Sequence, residues 1–400
     1  MNSANAGCLA GVRVLDLSRV LAGPFCTQLL GDMGAEVIKV EQPGKGDDTR
    51  QWGPPWFHGE SAYYLSCNRN KKSVTINLQT AEGQELVRKL ALNSDVFVEN
   101  FKVGALARYG LDYSTLKKRQ SRLVYCSITG YGQDGPAAHL PGYDFIIQAQ
   151  GGVMSLTGEA DGEPCKVGVA IADIVAGLYA ANSILAALLW RERSGEGQFV
   201  DIALLDTQVS WLANVAMNYL LSGEVPGRYG NAHPNIVPYQ TFETADGRVA
   251  IGVGNNAQFR RFCETLEIAH ATGDERFSTN AARVKHRHEL VALLQKSLRI
   301  KTTAEWLDKL AVAGVPAGKI NNVQEVFAEP QVVARQMIQR VMDATGELLP
   351  LVGPVAKFSA TPSEIRCAPP RLGEHTEEIL REVLNLSREQ IDDYHRRGIV

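Results

Sequence analysis

In this 400-residue sequence, the residue whose surroundings most demand a chemical explanation is an aspartate at the head of a long apolar run. From Val167 to Trp190 the chain reads VGVAIADIVAGLYAANSILAALLW, and Asp173 is its single charge. An ionised carboxylate among so many aliphatic side chains is costly unless a helix start or a ligand stabilises it. Ile174, Leu178, Leu185 and Leu189 fall at helical spacing, which predicts a helix from Ile174 onward with Asp173 capping its first amides. Two readings follow: an ordinary N-cap on a buried helix, or a carboxylate nucleophile in an apolar site. Gly177, Ala180 and Ala181 thin the first turns, leaving room for another backbone or a ligand.

Other chemistries lack their residues. Among eight histidines the one close pair, His286 and His288, lies in the charged stretch RVKHRHE, which reads as a solvated helix start, so no metal site is expected. There is no GxSxG nucleophile elbow, no GxGxxG after the first strand and no GxxxxGK[ST]. Cys126, on a predicted strand end, reads as a buried structural thiol.

The elements that must position Asp173 alternate between strand and helix. Arg13 to Leu17 reads as a strand, Gly23 to Met33 as a helix and Ala35 to Glu41 as a second strand, a βαβ unit with Pro24 in the first helical turn. Strands are expected over Ser73 to Asn77, Asp95 to Val98, Arg122 to Ile128 and Gly197 to Leu204, with helices over Ala81 to Leu92 and Asp206 to Leu221. That pattern predicts a doubly wound, Rossmann-like α/β domain over residues 1–221. Residues 222–329 read as a smaller α+β domain, with a hairpin over Thr241 to Val253 turning at Asp246 and Gly247. Its helices are expected over Gln258 to Leu266, His288 to Leu298 and Thr303 to Ala313, and residues 330–400 read as a return segment and tail on the large domain. Glu41 precedes QPGKGDDTRQWGPPW, a Gly- and Pro-rich loop carrying Lys45, Arg50 and Trp52, and loops leaving the C-terminal ends of parallel strands are where such sheets bind ligands.

Composition narrows the class. Forty-one basic residues against 44 acidic give a net charge of -3 with no long single-sign block, which argues against a nucleic-acid partner. Seven scattered cysteines with no CxxC pair point to reduced thiols and a cytoplasmic location, and the N-terminal residues lack a signal-peptide pattern. The longest charge-free piece of the apolar run, residues 174–190, is short of the ~20 residues that span a bilayer, so no membrane role is expected.

Six motifs in order resemble those of the class III CoA-transferases: RVLAGPFCTQLLGDMGAEVIKVEQPGKGDDTR, VENF, SITGYGQDGP, PGYDFIIQAQGG, GVAIADIVAGLYA and LGEHTEEIL. Within that family DDTRQWGPP, YYLSCNRNKKS, NYLLSG, GNAHPNIVPYQ, GNNAQF and INNVQEVFAEPQV look most like the succinate and glutarate (hydroxymethylglutarate) CoA-transferases. The resemblance implies that Asp173 is the nucleophile and passes CoA between acids as an aspartyl-CoA thioester. Coenzyme A and its thioesters are then substrates, with no permanently bound cofactor. It implies CoA contacts at Val20, Leu21, Ala22, Gln42, Asn100, Phe101, Arg108 and Tyr143. Where the family often has Arg and Gln, this chain has Gln42 and Leu21, so Lys45 or Lys102 is expected to supply phosphate charge. For a dicarboxylate substrate the candidate contacts are Arg50, Trp52, Arg69, Arg228 and His233. The family also implies a homodimer interlocked like rings of a chain. Two alternatives accompany this reading. An α-methylacyl-CoA racemase would want histidine where Tyr143 stands, and tyrosine is a poor base at neutral pH. A non-catalytic CoA-binding protein would tolerate loss of Asp173.

Overall fold

Short apolar strands alternate with helices through the first half of the chain, and their faces separate at period two, as a sheet covered on both sides requires. The computed structural model describes residues 7–400. Its strands are β1 (Arg13–Asp16), β2 (Glu36–Glu41), β3 (Lys71–Thr75), β4 (Val96–Glu99), β5 (Val124–Thr129) and β6 (Phe199–Ala203). All pair in parallel, in the order β3-β2-β1-β4-β5-β6. Val14, Val37, Val96, Val98, Val124, Cys126 and Ile128 face one core, whereas Leu15, Ile38, Phe97 and Tyr125 face the other.

The first core is closed by helices α1 (Ala22–Asp32) and α4 (Ile171–Ser194). Between them in the chain come α2 (Ala81–Leu92) and α3 (Asp144–Gln150), and α5 (Leu204–Trp211) follows β6 directly. The second core is closed by α2 and by the C-terminal helices Thr376–Glu382 and Arg388–Arg396, through Leu86, Leu90, Ile379, Leu380 and Ile391. These elements belong to one compact unit that runs through Val153, resumes over Val167–Met217 and again over Pro330–Val400.

A second unit comprises Met154–Lys166 and Asn218–Glu329. It holds an antiparallel sheet in the order β9-β8-β7, made of β7 (Tyr239–Glu243), β8 (Arg248–Gly252) and β9 (Ala317–Lys319). Helices Asn256–Thr265, Arg287–Leu298 and Thr303–Val312 pack on it around Phe242, Phe262, Leu294 and Trp306. The segment 154–166, expected in the large domain, clusters here instead: Arg228 donates to the carbonyls of Glu159 (3.1 Å) and Gly162 (2.5 Å).

Three local expectations need correction. The helix expected from Asp206 to Leu221 is broken into Leu204–Trp211 and Ala213–Ser222, because Ala213 takes a left-handed φ of 43°. Helix α4 begins at Ile171, so Asp173 lies inside its first turn and is not the N-cap; that position is Ala170, which has no side chain able to cap. The thin stretch after Asp173 admits another backbone rather than a ligand: a Cβ on Gly177 would sit 2.7 Å from the carbonyl oxygen of Ala22, at the start of α1.

That contact makes a prediction. Gly177→Ala gains helix propensity of up to about 1 kcal/mol, yet the new methyl meets rigid backbone, and overpacking of this kind costs about 1–3 kcal/mol. Urea denaturation is expected to show net destabilisation; a variant more stable than the parent would mean that α1 and α4 do not touch there.

Candidate active site

In a doubly wound sheet the strand order reverses where β1 neighbours β4, and the loops leaving those two strands part to form a crevice. A cavity of about 390 Å³ opens there. Its wall includes Arg19 to Ala22 after β1, Asn100 to Val103 after β4, Thr129 and Gly130 after β5, Pro141 to Asp144 at the start of α3, and Asp173. A smaller cavity of about 220 Å³ lies over β2 and β3, lined by Gln42, Asp47, Asn77 and Gln79, and the two share Arg19 and Phe101.

The turn after β1 is held in an uncommon shape by buried charge. Val20 has φ 71°, a left-handed conformation that a β-branched residue adopts only when its surroundings impose it. Fully buried Lys39 donates to the Ser18 carbonyl and to Asp47, both at 2.9 Å, and the Val20 amide lies 3.3 Å from each Asp47 oxygen. Burial would raise the Asp47 carboxyl, but Lys39 and the Thr49 amide hold it at about 2. Asp16 accepts from the Ser18 amide (2.8 Å) and from Lys71 (3.2 Å), and Lys71 also reaches the Pro24 carbonyl (2.9 Å). From the β4 side, Asn100 clamps Arg19 by both its amide (2.9 Å) and its carbonyl (2.7 Å). Glu99 shapes that loop by accepting the Phe101 amide at 2.7 Å, and burial pushes its carboxyl up to about 7. Helix α1 therefore starts at the cavity with no side-chain cap and no acid in its first turn, an arrangement suited to an anion.

Asp173 faces this cavity half-buried, with no hydrogen-bond partner among the described residues. The amide it might have capped, that of Ala172, donates instead to Asp144 at 2.8 Å. Burial and the charge of Asp144 push the Asp173 carboxyl up to about 7. Asp144 comes close because Gly130 and Gly142 touch backbone to backbone; a Cβ on Gly142 would lie 2.3 Å from the Gly130 Cα. Tyr63 lies near as well, its hydroxyl pushed up by burial and by the charges of Asp173 and Asp144, with its ring edge-on to Trp52 at 5.2 Å. An unpaired carboxylate at the start of a helix, opposite a second uncapped helix start and three cations, Arg19, Lys102 and Arg108, suits attack on an ester-like carbon of an anionic ligand.

The profile of CoA-transferase family III matches residues 9–376. The chain belongs to that family. A succinate–glutarate CoA-transferase of Agrobacterium fabrum is 48% identical over 386 residues, covering 95% of this chain and 96% of the relative. A succinyl-CoA:glutarate CoA-transferase of Mus musculus is 46% identical over 392 residues, covering 98% and 90%. Among solved structures, a CAIB/BAIF family protein from Brucella suis superposes with a TM-score of 0.83 at 48% identity, covering 95% of this chain and all of that one. Rv3272 from Mycobacterium tuberculosis gives 0.84 at 31%, covering 93% and 99%.

Within this CoA-transferase the cavity gathers Val20, Leu21, Ala22, Asn100, Phe101, Lys102, Arg108, Tyr143 and Asp173, while Gln42 lines the neighbouring one. Lys45 lies outside both walls, paired with Asp48 at 2.8 Å. Arg50 and Arg69 line neither cavity and are held in buried ion pairs. Arg50 is buried against Glu41 (2.7 Å), Glu60 (2.6 Å) and the Tyr64 ring, and Arg69 grips Asp32 at 2.6 and 2.9 Å. A buried guanidinium with a bidentate carboxylate partner is structural, because freeing it would strand both charges. Trp52 is exposed and lines neither cavity. Arg228 and His233 belong to the second unit, where His233 accepts from the Asn235 amide (3.0 Å) and burial and Arg287 lower its pKa. Sequence reasoning missed Arg19, Asp48 and Asp144 as wall residues, although Arg19 opens one quoted motif and Asp144 follows Tyr143 in another. Where a racemase would want histidine there is Tyr143, and no histidine lines the cavity among the described residues.

The raised Asp173 carboxyl carries a stability consequence. It binds its proton more tightly folded than unfolded, so the cost of ionising it sets in above the ordinary value of 3.8 and is complete above about 7. Discounted for partial exposure, that cost is on the order of 3 kcal/mol at pH 8 and about 1 kcal/mol at pH 5. Asp173→Asn is therefore expected to raise the melting temperature more at pH 8 than at pH 5. Equal gains at both would place Asp173 in ordinary solvent.

Proposed function

We propose that this CoA-transferase moves CoA from succinyl-CoA to glutarate or a closely related small dicarboxylate by way of an aspartyl-CoA thioester on Asp173. The observation that carries the mechanism is the unpaired Asp173 carboxylate in the wall of a cavity that also presents Arg19, Lys102 and Arg108. The donor and acceptor rest on the names of the Agrobacterium and mouse relatives.

The steps balance without a metal or redox group. The Asp173 carboxylate attacks the succinyl thioester carbon; the carbon–sulfur bond breaks, leaving a mixed anhydride and CoA thiolate. The thiolate attacks the aspartyl carbon of the anhydride and succinate leaves as carboxylate. Glutarate then attacks the aspartyl-CoA thioester, forming a second anhydride and freeing the thiolate, which takes the glutaryl group and restores Asp173. Each tetrahedral centre bears an oxyanion, which the uncapped amides at the start of α1 can stabilise. The two cavities sharing Arg19 and Phe101 suit an extended ligand, with the thioester at Asp173 and the nucleotide end toward Gln42, Asn77 and Gln79.

We also propose the interlocked homodimer, supported by an apolar surface that one chain leaves open: Leu178, Tyr179, Leu189 and Trp190 on α4, and Val209 and Trp211 on α5, are all more than 40% exposed. A cytoplasmic setting accords with seven cysteines that all stand free.

Initial-rate kinetics test the reaction. Succinyl-CoA varied against glutarate is expected to give parallel double-reciprocal lines, the signature of a covalent intermediate, and Asp173→Ala is expected to lose at least about 10³-fold in kcat. Intersecting lines together with an active Asp173→Ala would refute the mechanism, and exchange of the α-proton of a 2-methylacyl-CoA in deuterated water would point to a racemase instead.

A further inference from the structure

The carboxylate beside the nucleophile has no part in the transfer just described, yet its hydrogen bonds are specific. One oxygen of Asp144 accepts the Ala172 amide at 2.8 Å, and the other accepts Gln148 Nε2 at 2.8 Å. Gln148 is itself buried and takes the Val167 amide at 2.8 Å through its own carbonyl oxygen, so Asp144 is oriented by a fixed partner. Helix α4 is thus capped from α3, and its own N-cap residue, Ala170, contributes no side chain. A helix start favours one negative charge. Here Asp144 takes that place, and Asp173, one residue beyond the capped amide, is left with no hydrogen bond among the described residues.

We infer that Asp144 is a positioning residue for the nucleophile: by capping α4 from outside it keeps Asp173 unpaired and aimed into the cavity, and its charge makes the Asp173 carboxylate more reactive. This rests on Asp173 being the nucleophile. A carboxylate stabilised by hydrogen bonds is a weaker base and a weaker nucleophile, whereas one facing a second fixed negative charge holds its electrons at higher energy. The same burial and the same neighbour account for the direction in which the Asp173 carboxyl is displaced.

The other groups around Asp173 do not duplicate this role. Tyr63 faces it from the short helical turn Ala62–Ser66 as a neutral hydroxyl. Arg19, Asp48, Lys102 and Arg108 face it across the cavity, where Asp48 is paired with Arg19 and Lys45. Cys26 and Asp32 on α1, Cys126 on β5, Asp201 on β6 and Asp206 on α5 are further ionisable groups of the packed elements on that side, and Tyr143 lines the cavity beside Asp144.

The test compares the pH dependence of kcat/KM for succinyl-CoA in the intact enzyme, Asp144→Asn and Asp144→Glu. Asparagine keeps a carbonyl for the Ala172 amide but removes the charge, and glutamate keeps the charge. Wild type is expected to lose activity as pH falls through about 7. In Asp144→Asn that acid limb is expected to move down by at least about half a pH unit, with kcat on the alkaline plateau falling about tenfold or more and KM changing less than about threefold. Asp144→Glu is expected to keep the limb near its wild-type position. A merely structural residue would lower the rate in both variants without moving the limb, and a limb unmoved in Asp144→Asn overturns the inference. Should Asp144→Asn not fold, Asp144→Ser, whose hydroxyl can also accept the amide, is read in the same way. Asp173→Asn separates the two levels: if it is inactive while the limb of Asp144→Asn stays put, only the role of Asp144 fails, whereas an active Asp173→Asn removes the nucleophile assignment itself.

Discussion

Two helices that meet backbone to backbone determine where this enzyme can do chemistry. Gly177 lets α4 press on the first turn of α1, and the small residues Ala180 and Ala181 continue the seam. As a result both helices begin at the same crevice, above the ends of β1 and β4 where the strand order reverses. One start is left uncapped for an anion, and the other presents Asp173. A larger residue at the seam would separate the two and dissolve the juxtaposition without touching either functional group.

Around that seam the charges are sorted by burial. Lys39, Lys71, Asp16 and Asp47 are out of water and fully paired, and their task is to hold the left-handed turn at Val20 against its own preference. Arg19, Lys102 and Arg108 remain at the cavity wall. Asp173 is partly buried and unpaired, and burial and a neighbouring carboxylate both oppose its ionisation. If Asp173 is the nucleophile proposed above, stability is given up at the residue where reactivity is needed.

Much of this was legible in the sequence because it is local. Short buried runs alternating with helical stretches marked the six strands to within a few residues, and the helix over Ala81–Leu92 was read with its observed bounds, where the structure has Thr80 as its cap and apolar positions recurring along one face. The oddness of Asp173 and the thinness beside it were also visible. What escaped depends on partners distant in the chain. Arg50 and Arg69 looked like substrate anchors because nothing in their own loops shows that Glu41, Glu60 and Asp32 would take them. The cap of α4 comes from Asp144, 28 residues earlier, so a lone aspartate at a helix start was assigned a bond that another aspartate makes. The break at Ala213 has no glycine or proline to announce it.

The central claim is that Asp173 itself carries CoA during transfer. Its most direct test is intact-protein and peptide mass spectrometry after incubation with succinyl-CoA in the absence of any acceptor acid. The account predicts an added mass equal to CoA less one water, located on the peptide that contains Asp173, and released when glutarate is supplied. A protein that turns over succinyl-CoA with glutarate yet shows no such adduct, or carries it on another residue, would contradict the account.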